Sequence, residues 1–134
     1  MENKNYTITY KGALRVKMIH EKSGTEIYSD APVDNNGKGE SFSPTDLLVS
    51  SLVSCILTIA GIHYEKKGIV LKPINCDVKK VMYPAPRRIG EVAIDFDFGE
   101  NDFGEKDKEI FKRITATCPV TLSINSEIIL KTNL

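Results

Sequence analysis

The sequence predicts an α+β fold with strands in hairpin runs and one long buried helix, in the order β-β-β-α-β-β-α-α-β. Three observations carry this. Short stretches alternate polar and apolar residues with a period of two, and one long uncharged stretch opens on a helix-starting signature. The strands also come in hairpin runs and do not alternate strictly with helices. At 134 residues the chain reads as a single domain, 1–134, since no internal repeat or linker divides it and domains run to roughly 100–200 residues.

Tyr6, Ile8 and Tyr10 alternate with Thr7 and Thr9; after Gly12 the pattern resumes with Leu14, Val16 and Met18, so a hairpin is expected. Gly24 sets off a short third strand over 25–29, and 31–41 is a polar loop rich in Asp, Asn, Gly and Lys. Ser43 is placed to cap a helix, Pro44 to fill its first position, and Asp46 to close a capping box at the positive end of the dipole. This helix should reach about residue 67 and stop at Gly68. Leu48, Leu52, Cys55, Ile59 and Ile62 recur at steps of four and three and are expected to form its buried stripe. Residues 47–63 carry no charge and approach the roughly 17-residue lower limit of a membrane span. Ser50, Ser51, Ser54, Thr58 and Gly61 interrupt them and no aromatic belt flanks them, so a helix buried in protein is expected, with no membrane partner. Its several apolar faces exceed what one copy of a small sheet comfortably covers, so burial on several sides is expected.

Strands are predicted over 69–82 and 89–98, joined across Tyr83-Pro84-Ala85-Pro86, with Val92, Ile94, Phe96 and Phe98 on the dry face. Phe103, Ile110, Phe111 and Ile114 suggest a second, amphipathic helix. Thr117-Cys118-Pro119 opens a short helical segment to about residue 124, and a last strand spans 128–131.

Eighteen basic residues balance eighteen acidic ones, so no net field attracts nucleic acid or an anionic membrane. The paired Lys66-Lys67, Lys79-Lys80 and Arg87-Arg88 read as solvated element ends. Three cysteines at irregular spacings fit a reducing compartment, and the first residues lack a leader pattern, so a cytoplasmic location is expected. Phosphate-loop, dinucleotide, nucleophile-elbow and zinc-protease motifs do not occur. His20 and His63 are too few and too separated for a metal site or triad, and no Cys-x-x-Cys pair offers zinc ligands. Cys76 falls inside a predicted strand and reads as structural. Spacing alone leaves Cys55 and Cys118 open to two readings, as small buried hydrophobes or as a thiol pair that meets through the fold. Cys118 stands at an apparent helix start, where free N–H groups favour a thiolate, whereas Cys55 lies about three turns inside its helix and would need an imported cation.

The run Ser43-Pro44-Thr45-Asp46-Leu47-Leu48-Val49-Ser50-Ser51-Leu52-Val53-Ser54-Cys55, followed by Cys118-Pro119-Val120-Thr121-Leu122, resembles the OsmC/Ohr family of osmotically inducible and organic hydroperoxide resistance proteins. The resemblance spans nearly the whole chain. It implies an OsmC-like α+β fold with an antiparallel sheet wrapped on a long central helix, an intertwined homodimer with sites at the subunit interface, and a thiol-dependent peroxidase preferring organic hydroperoxides. On it Cys55 matches the peroxidatic and Cys118 the resolving cysteine, and the two are expected to form a disulfide through a Cys55 sulfenic acid. Arg15 stands about where the family arginine holds the thiolate; as a strand residue it reads equally as solvated. Asp46 matches an acid of the broader OsmC-like branch that could orient the arginine, while Thr45 occupies the position where the hydroperoxide branch has Glu. No cofactor is implied beyond an external dithiol reductant. The alternative is a non-catalytic OsmC-like protein that binds a small ligand or senses oxidants.

Overall fold

The computed structural model describes residues 4–124 and 128–134. Residues 1–3, part of the start read above for a leader, lie outside the described residues. The chain divides into two compact units, 1–48 and 49–134.

In the first unit, β1 (Tyr6–Gly12), β2 (Arg15–His20) and β3 (Glu26–Asp30) form an antiparallel meander in that order, as the alternation predicts. Its register sets Ile8 opposite Met18 and Met18 opposite Ile27, so Tyr6, Ile8, Tyr10, Val16, Met18 and Ile27 share one face. That face is uncovered: Ile8 is 65% exposed, and Tyr6, Tyr10 and Ile27 are also exposed. After a short 3₁₀ turn, Val33–Asn35, the helix α1 (Pro44–Glu65) begins. Ser43 Oγ accepts from the Asp46 N–H at 3.0 Å and Asp46 Oδ2 accepts from the Ser43 N–H at 2.9 Å, the reciprocal box that the sequence predicts.

The second unit packs most of α1 against β4 (Asn75–Tyr83), β5 (Arg88–Asp97), α2 (Glu105–Thr117), α3 (Pro119–Ser123) and β6 (Ile129–Asn133). The sheet order is β4-β5-β6, with β4 antiparallel and β6 parallel to β5. The expected antiparallel sheet is therefore two sheets, the second of them mixed, because the α2–α3 connection returns the chain along the same direction as β5. Val92, Ile94 and Phe96 are buried, on the face assigned to them. They meet a cluster of rings in which Phe98 and Phe111 lie 4.9 Å apart and Tyr64 and Phe103 5.1 Å apart. Phe103 packs just ahead of α2 and not within it.

Two further expectations shift. The buried face of α1 is Val49, Leu52, Val53, Ile56, Ala60 and Tyr64, whereas Leu48 and Ile62 of the expected stripe are 39% and 43% exposed. A helix apolar on several sides offers rival stripes about 100° apart, and the one containing Ala60 and Tyr64 meets the Phe111 ring of α2. Strand β4 begins at Asn75 and not at 69, because the Asn101 side chain takes the Lys72 backbone, accepting its N–H at 2.9 Å and donating to its C=O at 3.0 Å. By length and composition α1 could cross a membrane; here one face of it forms the core of the second unit.

Candidate functional site

Within the first unit, Arg15 opens β2 directly after a two-residue turn, since Gly12 pairs with Arg15. Ala13 and Leu14 both take positive φ, 53° and 61°, the conformation that suits a hairpin's twist but strains side chains other than glycine. The turn is tied down: Leu14 N–H donates to Tyr10 Oη at 3.2 Å and Leu14 C=O accepts from Ala31 N–H at 3.2 Å. Arg15 is thereby presented to two carboxylates. Its Nε and Nη2 donate to Asp30 at 2.8 and 2.9 Å in a bidentate pair, and Nη2 also donates to Glu40 Oε2 at 2.9 Å. The bond to Asp30, then that to Glu40, raises the Arg15 pKa, and the Arg15 bond holds Asp30 below the usual carboxylate range. Beside this pair, Tyr10, Leu14, Val16, Pro32 and Pro44 line an apolar concavity of about 250 Å³ that also touches Asp30.

Asp46 lies in the same unit with one oxygen engaged in the capping box, and Thr45 Oγ1 lies 3.1 Å from Ser43 Oγ. The carboxylates on Arg15 are Asp30 and Glu40, which sequence reasoning did not single out. Asp30 carried a signal: a third strand registered with Ile27 opposite Met18 also sets Asp30 opposite Arg15. Glu40 carried none, because the fold of the polar loop brings it there.

The second unit holds the three cysteines, all free thiols. Cys55 lies half-buried on α1 and packs against the unit's apolar core, of which Cys118, 1% exposed, is itself a member. Cys118 closes α2, donating its N–H to Ile114 O at 2.8 Å, and precedes the five-residue α3. Its sulfur makes no bond to the free N–H groups of α3, on which the expected dipole effect depended; it lies 3.2 Å from Thr121 Oγ1. Thr121 spends its single hydroxyl hydrogen on Thr115 O at 2.8 Å, so in this contact the Cys118 S–H is the donor. Cys76 is pushed up in pKa by burial, with a further contribution from Asp77, which suits a structural thiol. His20 Nδ1 lies 2.6 Å from Ser23 Oγ in a turn, and His63 stacks edge-on against Tyr64. Among the described residues, no group of three or more His, Cys, Asp or Glu side chains is placed to hold a metal ion.

A long core helix carrying one half-buried thiol, with a second thiol sealed into the same core, defines a cysteine protein of α+β architecture. The chain belongs to the OsmC-like protein family, which matches residues 37–133. The fold agrees with solved structures. A Psychrobacter arcticus protein named for osmotic stress induction and a detoxification response is similar at 45% identity, with TM-score 0.90 over 97% of this chain and 94% of that one. An organic hydroperoxide resistance protein OsmC of Legionella pneumophila shares the fold at 14% identity, with TM-score 0.68 over 95% of this chain and 92% of that one. The organic hydroperoxide resistance protein OhrB of Bacillus subtilis shares it at 14% identity, with TM-score 0.62 over 96% and 95%. No curated protein matches the sequence.

Proposed function

We propose that the protein is a thiol-dependent peroxidase that reduces organic hydroperoxides. The observation that carries this reading is the pair of free thiols in the second unit, Cys55 half-buried on α1 against the apolar core and Cys118 buried in that core at the α2–α3 junction. Cys55 as thiolate attacks the distal peroxide oxygen; the O–O bond breaks, the alkoxide leaves and takes up a proton, and Cys55 becomes a sulfenic acid. Cys118 then attacks the sulfenic sulfur, water leaves, and a Cys55–Cys118 disulfide forms, which an external dithiol reduces. Arg15 supplies the positive charge that a thiolate against an apolar core requires, and Asp30 orients it while Asp46 caps its helix. The organic part of the peroxide suits the apolar surroundings of Cys55. The protein works as a homodimer, a second copy covering the bare face of Tyr6, Ile8, Tyr10 and Ile27.

Adding one equivalent of cumene hydroperoxide to the reduced protein should consume it and yield a Cys55–Cys118 disulfide detectable by peptide mapping. Cys55→Ser should abolish consumption, whereas Cys118→Ser should still consume one equivalent and stop at the sulfenic acid. A second reading, a non-catalytic protein that binds a small apolar ligand, draws on Thr45 at the helix start and on the concavity beside Asp30. Thermal stabilisation by such a ligand, without thiol oxidation by peroxide, would favour it.

A further inference from the structure

Three groups at the α2–α3 junction form a hydrogen-bond relay that runs in one direction. Cys118 S–H donates to Thr121 Oγ1 at 3.2 Å, and the Thr121 hydroxyl donates to Thr115 O at 2.8 Å. The sequence prepares the end of this relay: Thr115 lies in the last turn of α2, and the residue four further on is Pro119, which has no N–H to give to the Thr115 carbonyl. The relay ties α3 to α2, and α3 has little else to hold it. Five residues are too few for a helix to be stable by itself. None of them is buried, Leu122 is 71% exposed, and Val120 packs against the core at the helix start. The backbone bonds of α3 include Leu122 N–H to Cys118 O at 3.0 Å and Ile124 N–H to Val120 O at 3.2 Å. The hydrogen that starts the relay is also the one that the proposed chemistry removes. When the Cys118 sulfur attacks the Cys55 sulfenic acid, the S–S bond forms, the S–O bond breaks, and the displaced hydroxide leaves with the Cys118 proton as water. A disulfide sulfur has no hydrogen to donate, so the first bond of the relay exists in the thiol state alone.

We propose that α3 is a redox-sensitive latch: in the thiol state the Cys118–Thr121–Thr115 relay holds it against a sulfur that is 1% exposed, and disulfide formation releases it. Released, α3 opens the Cys118 side of the disulfide to the external dithiol, so the fold shields the thiol before oxidation and admits the reductant after it. The release on oxidation rests on the proposed Cys55–Cys118 chemistry. The relay does not, because it is complete in the reduced chain. Thr121 is a positioning residue, since it acts only through Cys118 and the seating of α3.

The test is amide hydrogen exchange at Leu122 and Ile124 in the full chain, followed by NMR. In the reduced protein Cys118→Ala, which deletes the donor, should speed both amides about threefold while those of α1 and β5 keep their rates. Cys118→Ser, which restores an O–H donor, should return them to the wild-type rate. Thr121→Val removes both bonds of the relay at nearly constant volume and should speed them at least as much, which decides the matter if Cys118→Ala does not fold. Wild type converted to the Cys55–Cys118 disulfide by one equivalent of cumene hydroperoxide should exchange as fast as reduced Cys118→Ala. Unmoved exchange in the reduced variants would overturn the latch. Exchange that moves in the variants but not on forming the disulfide would overturn its release by oxidation and leave the peroxidase reading standing. A wild type that forms no disulfide with peroxide, while the variants still open α3, would overturn the peroxidase reading and the redox release together, and leave the relay as what holds α3 closed.

Discussion

Single hydrogen bonds set both the chemistry and part of the stability. The Cys118 S–H donates to Thr121 Oγ1, which holds the sulfur in place, an arrangement that fits the resolving role proposed for it. Thr121→Val removes the acceptor; a bond of roughly 1 kcal/mol corresponds to about fivefold in rate, so sulfenic acid resolution should quicken by about that factor. Stopped-flow oxidation with dimedone trapping measures it, and slower resolution would refute the role given to Thr121. At the other end of the core, Asp107 accepts from Tyr64 Oη at 2.6 Å and from its own helix-capping Gly104 N–H at 2.9 Å, which joins the start of α2 to α1. The Tyr64 bond, then the Gly104 bond, lowers the Asp107 pKa, so its stabilisation is present above the unfolded value near pH 4 and is lost as pH falls through the folded one. Burial, then Asp107, raises the Tyr64 pKa, so its contribution is complete below about pH 10 and is lost on further rise. Tyr64→Phe should cost about 1–2 kcal/mol at pH 7 in urea unfolding, with the deficit narrowing below about pH 4. A deficit independent of pH would contradict the pairing. Cys55 and Cys118 stand out in the sequence through two motifs that resemble a family, and Arg15 through its place in the first hairpin. Glu40 could not, because its place depends on how an eleven-residue polar loop folds back through backbone bonds that leave no side-chain pattern.

At the scale of elements, local chemistry that closes on itself was legible. The Ser43-Pro44-Thr45-Asp46 cap forms as its residue types dictate, and the alternation in β1, β2 and β5 matches their faces. What misled was apolar redundancy: α1 has more than one stripe, and the buried one was chosen by α2 and β5, which lie far off in sequence. In the same way Asn101 ended a strand that hydropathy would have extended from 69. The hairpin turn breaks the local rules instead of obeying them, with Ala13 and Leu14 in the left-handed region beside the proposed cation. Leu14→Gly should relieve strain and stabilise the fold by about 1 kcal/mol in thermal unfolding, while removing one wall of the concavity beside Asp30. A lower melting temperature would mean that Leu14 packing outweighs its backbone cost.

For the whole molecule, the first unit presents an apolar sheet face and the second keeps a core that includes both motif cysteines. The bare face of Tyr6, Ile8 and Ile27 forms a continuous cross-strand patch, which a second copy would remove from water in the homodimer proposed above. Sedimentation at micromolar concentration should give a dimer, and Ile8→Lys, which places a charge in that patch, should weaken association at least tenfold; a wild-type monomer would contradict the assembly. The central claim is that Cys55 reacts with peroxide and Cys118 completes the cycle. Its most direct test is the peroxide consumed per chain by reduced wild type and Cys55→Ser, with the product mapped by mass spectrometry. The account predicts one equivalent of cumene hydroperoxide consumed by the wild type, a Cys55–Cys118 disulfide, and no consumption by the variant. Equal consumption by the two proteins, or a wild type that leaves the peroxide intact, would contradict it.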